Sequence, residues 1–109
     1  MIAFEKGVQD SFSWLWRKAD PGDFVTFSMS AESCMKIFSG DNEVARLAFG
    51  YDQNRLFFDG DKDFNIYVVA TIKDYSNLPS GIYTYEILLE SLIDDLKIEG
   101  SGELEIIND

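Results

Sequence analysis

Hydrophobic and polar residues alternate along several short stretches of this chain, with turn residues between the stretches. From Ser11 to Trp16, aromatic side chains at every second position alternate with serine and leucine. A similar alternation runs from Val25 to Ala31 and from Phe64 to Ile72. A two-residue period places successive side chains on opposite faces, which is typical of a half-buried β-strand. The pattern therefore predicts strands over these three stretches.

Shorter apolar runs predict further strands. Met35–Phe38 is followed by a glycine turn, and Leu104–Ile107 is the last apolar stretch. Val44–Phe49 and Arg55–Phe58 flank a loop that contains glycine and asparagine, and we interpret them as the two strands of a β-hairpin. The Gly, Pro and Asp residues between these runs favour short connections.

Two segments have patterns that are also compatible with a helix. Asp74–Leu78 is compatible with a single helical turn that ends before a proline. From Glu86 to Ile98, the apolar residues also fit the i, i+4 spacing of an amphipathic helix. The β-forming residues of Ile82–Tyr85 and the glycines that follow Ile98 favour a hairpin instead. The pattern alone leaves both interpretations of Glu86–Ile98 open.

Together these segments predict an all-β fold. Seven or eight short strands, separated by turns at regular spacing, are typical of a single antiparallel β-sandwich of immunoglobulin-like type, here with at most one short helix. The chain has 109 residues, which is near the usual size of one hydrophobic core. We therefore expect one domain that spans residues 1–109.

Composition excludes several classes of function. The chain has no histidine, so it can form neither a Ser–His or Cys–His catalytic pair nor an imidazole metal site. Its one cysteine, Cys34, cannot form an internal disulfide, and we expect it to be buried. Phosphate-binding glycine motifs and aspartic-protease motifs are absent from the sequence. We therefore expect no enzymatic activity, no catalytic residues and no cofactor.

The chain is strongly acidic. Twenty Asp and Glu against nine Lys and Arg give a formal net charge of −11. A nucleic-acid-binding module needs a basic face, so we expect no nucleic-acid partner, although imitation of nucleic acid toward a basic protein is an alternative. Residues 86–109 contain eight acids and one lysine. We expect this charge to protect the last strands from edge pairing, which leaves the less acidic remainder for a partner to dock.

The run Asp59-Gly60-Asp61-Lys62-Asp63 begins like a calcium-binding EF-hand loop, in which alternate carboxylates face one ion. The sixth position of that loop needs glycine and the twelfth needs glutamate, but Phe64 and Ala70 stand there. The pattern favours a solvated turn, and we predict no metal site. Whether Asp59, Asp61 and Asp63 hold a cation is left open by the sequence.

Neither a membrane span nor a signal peptide is predicted. No apolar run approaches the roughly 18 residues that a spanning helix needs. The residues Met1–Lys6 lack the basic region and apolar stretch of a signal peptide. We therefore expect no membrane partner and a protein made in the cytoplasm.

Four aromatic residues are candidates for an interface: Trp14, Trp16, Phe57 and Phe58. Trp14 and Trp16 share one face of their strand, which favours a place in the core, with exposure as a protein anchor or sugar-stacking platform as the alternative. Phe57 and Phe58 are adjacent, so a strand directs them to opposite sides. One of them is then exposed, or covered by a neighbouring subunit.

The second half of the chain resembles a known family. The run Leu78–Glu86 reads Leu-Pro-Ser-Gly-Ile-Tyr-Thr-Tyr-Glu, and Leu96–Ile106 continues to a strand with glycines and an apolar finish. These segments resemble the closing hairpin of small β-sandwich domains in tailed-phage and prophage structural proteins, including the N-terminal domains of baseplate upper proteins. Phe4–Phe12 and Ile66–Leu78 are similar to other parts of that family's pattern, whereas Ala31–Asn54 shows none of it.

The resemblance implies a non-enzymatic phage or prophage structural protein. Such a β-sandwich module makes protein–protein contacts in a tail, neck or baseplate, either by self-assembly as a homo-oligomer or with other virion components. It implies a component of the virion that is made in the cytoplasm of the bacterial host. The alternative from the residues themselves is a carbohydrate-binding β-sandwich module that uses exposed tryptophans.

Overall fold

Eight β-strands and no helix are formed by residues 1–18, 29–60, 63–92 and 97–109, which are the residues that the computed structural model describes. This confirms the all-β fold with eight strands. The strands are, in chain order, β1 (Ile2–Glu5), β2 (Ser11–Lys18), β3 (Cys34–Ser39), β4 (Asn42–Phe49), β5 (Arg55–Gly60), β6 (Asn65–Thr71), β7 (Gly81–Glu90) and β8 (Lys97–Ile107).

All eight strands belong to one sheet, in the order β1-β8-β7-β3-β4-β5-β6-β2. Most neighbours are antiparallel, but β1 pairs with β8 and β4 pairs with β5 in parallel. The two edge strands, β1 and β2, approach each other, so the sheet nearly closes into a barrel. Two halves of one continuous sheet thus face each other across the core, a relation that a β-sandwich also has.

The inner face of the sheet carries the residues that the alternation predicted. In β6, Ile66, Val68 and Ala70 are buried, as the two-residue period requires. The side chains of the core include the following buried residues: Phe4, Trp16, Met35, Ile37, Leu47, Leu56, Ile72, Tyr83, Leu89, Leu104 and Ile106. Burial of apolar area, at about 25 cal/mol per Å², is what holds the two halves of the sheet together.

The segment that left helix and hairpin open is a hairpin. Strands β7 and β8 pair antiparallel from Gly81 opposite Ile106 to Glu90 opposite Lys97. Tyr83 and Leu89 point from β7 into the core. The helical interpretation of Glu86–Ile98 is therefore wrong. A two-residue period places Ile87 and Leu89 on the inner side, whereas Leu92, which the helical pattern counts as apolar contact, is 65% exposed. The turn of this hairpin, which the sequence predicts near residues 93–95, lies outside the described residues.

The predicted hairpin between Val44–Phe49 and Arg55–Phe58 is wrong. Strands β4 and β5 pair in parallel, through only two residue pairs, Ala48 with Arg55 and Phe49 with Leu56. The chain turns back fully between them, beginning at Gly50, whose φ of +84° suits glycine. Strand β5 instead forms its long antiparallel pairing with β6.

Asn54 fixes the start of β5 beside the end of β6. Its side-chain oxygen accepts the backbone N–H groups of Lys73 and Asp74, each at 3.0 Å. Its amide group also donates to the carbonyl of Asp74 at 3.3 Å. These three bonds attach the start of β5 to the end of β6. They explain why β5 pairs along β6 rather than folding back along β4.

Two other predicted elements differ from the structure or fall outside it. Asp74–Leu78 forms no helix; it contains a turn in which the Leu78 N–H donates to the Tyr75 carbonyl at 2.9 Å. Most of the predicted strand Val25–Ala31 lies at residues 25–28, outside the described residues. Of the remainder, Met29 forms a single bridge with Ser91, and Ala31 lies in a turn.

A hydrogen-bonded cluster at one end of the sheet joins the β1–β2 connection, the β6–β7 connection and the segment that follows β8. The Tyr75 hydroxyl donates to Asp10 Oδ1 at 2.7 Å, and the Ile72 N–H donates to the Asp10 carbonyl at 2.9 Å. The Asn108 side-chain amide donates to the carbonyls of Tyr75 and Leu78 at 3.1 and 3.0 Å. Burial raises the pKa of the Tyr75 phenol above its usual range, and the hydrogen bond to Asp10 raises it further.

We expect Tyr75 to make the fold sensitive to alkaline pH. Because the pKa of Tyr75 is higher in the folded chain than the value of about 10 in the unfolded chain, its stabilising contribution is complete below about pH 10 and is lost as the pH rises above that. Urea unfolding between pH 8 and pH 11 should show a smaller loss of stability in Tyr75→Phe than in the wild type. The control is Tyr51→Phe, because Tyr51 is exposed. If both variants reduced the loss of stability with pH equally, the role of Tyr75 would be contradicted.

Gly102 leaves space for an aromatic ring on the inner side of β8. A Cβ atom at Gly102 would lie 3.0 to 3.2 Å from three atoms of the Tyr85 ring, which belongs to the opposite residue of β7. At Gly100, two residues earlier on the same side, the nearest atom would be the Ile87 Cγ2 at 3.4 Å, an ordinary contact. The Tyr85 ring therefore needs a glycine beneath it.

We predict that Gly102→Ala destabilises the protein relative to Gly100→Ala. The added methyl group must displace the Tyr85 ring, and overpacking of this kind costs about 1 kcal/mol or more, whereas both variants gain the same backbone restriction in the unfolded chain. Urea denaturation of the two variants measures the difference. Equal stabilities would mean that the ring moves aside freely.

Candidate functional site

Two of the four candidate interface aromatics belong to an aromatic cluster on the inner face of the sheet. The Trp16 side chain is only 7% exposed. Its ring meets the ring of Phe58 edge-on at 5.4 Å, and Phe58 stacks on Phe49 at 5.0 Å. Edge-on and offset arrangements at such distances are favourable for aromatic pairs. This cluster lies where β4 and β5 meet, so Trp16 and Phe58 fill the interior at that corner.

Trp14 lies on the same inner side of β2 as Trp16. It is half-buried and packs beside Phe12, with 5.8 Å between the ring centroids. The alternation of β2 thus directs its aromatic side chains inward, and Leu15, which stands between the two tryptophans, points outward. Leu15 is 55% exposed.

Phe57 points to the outer side, opposite to Phe58. The Arg55 guanidinium lies over its ring, with 4.8 Å from the Arg55 Cζ to the ring centroid. Residues i and i+2 of a strand share a face, so this contact follows from the spacing of the two residues in β5. A cation over an aromatic ring contributes about 0.5–1 kcal/mol at an exposed site.

These outward side chains form an apolar surface on β5, β6 and β2, which we call the Phe57 face. Leu15 stands opposite Tyr67, and Phe57 stands opposite Val69 in the neighbouring strand. Phe57 and Tyr67 are half-buried, whereas Val69 is largely buried. The Phe57 face consists of Leu15, Arg55, Phe57, Tyr67 and Val69, and it is bordered by the exposed Asp59, which stands opposite Tyr67 on the same outer side of β5.

The outer side of β7 and β8 has the opposite character, and we call it the Glu103 face. It consists of Ile82, Glu86, Glu99, Glu103 and Glu105. The isoleucine stands opposite Glu105, and Ile82 is 55% exposed. This places much of the acidity predicted for the last strands on one outer surface.

A groove of about 900 Å³ lies beside the Glu103 face. Its floor is the outer side of β3, β4, β7 and β8, and residues 29–33 form one wall. That wall is attached to β7, because the Ser30 N–H donates to the Glu90 carbonyl at 2.8 Å and the Glu90 N–H donates to Ser33 Oγ at 3.0 Å. Cys34 lines the groove but is buried, as expected. The lining mixes Lys36 and Arg46 with glutamates, and it selects no single ligand charge.

Ion pairs occupy some of the basic side chains around these surfaces. Arg46 binds Glu43 through two bonds of 2.8 and 3.1 Å, and this hydrogen bond raises the pKa of Arg46. Lys97 pairs with Glu99 at 2.9 Å, which raises the pKa of Lys97. Arg55 differs from both, because its Nε is buried and has no hydrogen-bond partner among the described residues.

Neither a metal centre nor a membrane-crossing helix is seen in the described part of the chain. No group of three or more Asp, Glu or Cys side chains there is arranged to hold a metal ion. Of the three aspartates left open in the sequence, Asp59 and Asp63 are exposed, and Asp61 lies outside the described residues. None of the described residues forms a helix of the length and apolarity that crossing a bilayer needs.

Comparison with known proteins gives no relative: no family model, curated protein or solved structure matches this chain. The function must therefore be inferred from the surfaces of the molecule and from the residues themselves. Of the four candidate interface residues, the structure leaves Phe57 on the outer side and turns Trp16 and Phe58 inward.

Four residues of the Phe57 face were missed in the sequence. Two carry a signal that was available: if Trp14 and Trp16 face the core, Leu15 between them faces out, and Arg55 shares a face with Phe57 because it stands two residues earlier on the same strand. Tyr67 and Val69 belong to the face because β6 lies between β5 and β2, and that order could not be derived from the pattern once β5 was assigned to a hairpin with β4.

We predict different solvent access for the two tryptophans. In Trp14→Phe, the remaining Trp16 should be quenched by acrylamide several-fold less efficiently than free tryptophan, because it is enclosed by the aromatic cluster. In Trp16→Phe, the half-buried Trp14 should be quenched more readily than Trp16 is. Equal and efficient quenching of both residues would contradict the inward orientation of β2.

Proposed function

We propose that this chain is a non-enzymatic structural protein of a tailed phage or prophage, which makes protein–protein contacts in a tail, neck or baseplate through its Phe57 face. The proposal includes a place in the virion after synthesis in the cytoplasm of the bacterial host. It rests on the resemblance of Leu78–Glu86 to small β-sandwich domains of such particles, together with the surface described above.

The observation that carries the contact is the exposed leucine beside an aromatic and cationic surface. Leu15 is 55% exposed next to Tyr67, and Arg55 lies on Phe57 in the same face. Aromatic residues and arginine are enriched where proteins bind each other, whereas glutamate and aspartate are depleted. Apart from the exposed Asp59 at its border, the Phe57 face has that composition, and the Glu103 face does not.

The alternative of a carbohydrate-binding module receives less support from the geometry. Stacking on a sugar requires an open aromatic ring, and the ring of Trp16 is enclosed by Phe58 on the inner side. Trp14 is half-buried beside Phe12. A surface for protein contacts is therefore the function that these residues favour.

The proposal predicts that the chain is part of a particle. Phage particles would be induced from the bacterial strain that encodes the chain, purified by density-gradient banding, and analysed by mass spectrometry. The chain should band with the particles in a fixed ratio to the other structural proteins. Particles without the chain, or a strain that yields no particles, would overturn the proposal.

The Phe57 face is tested in the same particles. Leu15→Asp places a charge in the centre of the proposed contact and should reduce the amount of chain in the particles about tenfold or more. The matched control is Val8→Asp, which changes another exposed apolar residue that lies outside the face. Circular dichroism and thermal melting check that both variants are folded. Equal incorporation of the two variants would show that contacts are made elsewhere.

A further inference from the structure

Strand β4 has a free edge over most of its length. On one side it pairs with β3 from Asn42 to Ala48, whereas on the other side β5 reaches only Ala48 and Phe49. Within the described part of the chain, no residue pairs with Asn42–Leu47 on that second side. In an antiparallel strand every second residue directs its backbone N–H and C=O groups away from the partner strand. These six residues therefore present backbone groups that another strand can bind.

The free edge lies at the end of the sheet where β3 turns into β4, and its side chains are accessible. Asn42, Glu43 and Arg46 are exposed. Strands β2, β5 and β7 run parallel to β4, so the ends of these three strands lie toward the opposite end of the sheet. The start of β4 is therefore open to a partner.

The free edge carries one acid and one base on the outer side of the sheet. A bulge separates the pair Ile37–Ala45 from the pair Phe38–Glu43, which lets Glu43 and Arg46 share a side although they are three positions apart. The Arg46 Nη2 lies 2.8 Å from Glu43 Oε1. An exposed ion pair of this kind adds little to stability, so exchanging it for a contact with another molecule costs little.

The order of these charges is self-complementary. When two copies of Asn42–Leu47 pair antiparallel around a two-fold axis with all six residues matched, Glu43 of each copy stands opposite Arg46 of the other. The bulge leaves this register unchanged, because both copies carry it at the same position. Opposite charges that face each other across a strand pair are favourable, and like charges are unfavourable. The charge pattern therefore fits a second copy of the same chain.

The free edge is also in a part of the chain where two acidic copies repel each other weakly. The whole chain has a net charge of −11, but residues 33–51 carry Lys36 and Arg46 against Asp41 and Glu43, which gives no net charge. At about 0.15 M salt, charges more than roughly 8 Å apart are largely screened from each other. The balanced charges near the edge then matter more for association than the distant acids do.

We infer that two copies of this chain associate through the free edge of β4, with Asn42–Leu47 of one copy antiparallel to the same residues of the other. Glu43 then faces Arg46 at two symmetric positions, and the sheet continues from one copy into the next. This inference goes beyond the proposed function, because it uses a strand edge in which the Phe57 face takes no part.

Sedimentation equilibrium of the purified full chain at about 0.15 M salt, from micromolar to near-millimolar concentration, tests the inference. The mean mass of the wild type should rise toward that of a dimer. Glu43→Arg should weaken the association about tenfold or more, because it places two arginines opposite each other at both positions. This variant is decisive, since it also lowers the net charge from −11 to −9, which by itself would favour association.

The matched control is Glu103→Arg, which makes the same change of charge on the outer side of β8. Glu103 is exposed and lies outside the free edge. The control should associate at least as well as the wild type. Circular dichroism and thermal melting check that both variants are folded; if Glu43→Arg is not folded, Arg46→Glu takes its place in this measurement.

Mixing two variants tests the two-fold register. Glu43→Arg has two cations on its edge, and Arg46→Glu has two anions there. Each alone should be largely monomeric, whereas a mixture should form a one-to-one heterodimer, because every contact across the axis then joins opposite charges. The double variant Glu43→Arg with Arg46→Glu should associate like the wild type, since it only exchanges the two positions.

Hydrogen exchange tests whether the contact is made by the backbone of the edge. Amide groups in the peptide that covers Asn42–Leu47 should exchange more slowly at high protein concentration than at low concentration. Peptides from β2, which lies outside the contact, should exchange equally at both concentrations. Protection that depends on concentration only in other segments would place the contact elsewhere and contradict the inference.

Three further results would overturn the inference: a wild type that stays monomeric throughout, a Glu43→Arg variant that associates as well as Glu103→Arg, or a mixture that stays monomeric. The proposed function is judged separately by the particle experiment. A chain that is monomeric in solution but present in particles would overturn only the β4 contact, whereas a chain that dimerises through β4 but is absent from particles would overturn only the phage assignment.

Discussion

The narrow contact between β4 and β5 is the constraint on which the rest of the structure depends. Only two residue pairs join these strands, so backbone hydrogen bonds alone cannot fix the angle between the two halves of the sheet. The aromatic cluster of Phe49, Phe58 and Trp16 fills the inner side of that corner, and Asn54 holds the start of β5 from outside. Side-chain packing therefore sets the curvature that brings β1 and β2 together, and with it the directions in which the outer faces point.

Local pattern predicted the strands more reliably than it predicted their neighbours. The alternation in β2 and β6 identified both strands and their buried sides, because a two-residue period is a property of the strand itself. The parallel contact of β4 with β5 was mistaken for a hairpin, because the position of β5 depends on Asn54 binding the backbone near Lys73, a contact that no periodicity encodes. The short strand β1 was missed, since four residues are too few for a period and its partner is about as distant in sequence as the chain allows.

The candidate site, like the strands, was predictable only where it depends on the pattern of a single strand. The opposite orientations of Phe57 and Phe58 follow from their adjacency, and the sequence was enough to say that one of them would be outside. Which one is outside depends on how β5 sits against β6, so it had to come from the structure. The meeting of Arg55 with Phe57 has a local cause, a spacing of two residues on one strand, whereas the addition of Leu15 and Tyr67 requires three strands in the correct order. The Phe57 face is thus a property of the topology more than of any one segment.

The pairing of β1 with β8 has a consequence for how the chain reaches this structure. Ile2–Glu5 hydrogen-bonds in parallel to residues that follow Glu103, and Phe4 is completely buried in the finished core. Synthesis proceeds from the N-terminus toward the C-terminus, so β1 is made before all the other strands, and its partner β8 is the last strand of the sheet to be made. Contacts that are this distant in sequence are slow to form, because the entropy of closing a long loop must be overcome first. Strand β1 is accordingly among the last parts of the sheet to be enclosed, and this apolar strand stays exposed on the nascent chain until β8 has been made.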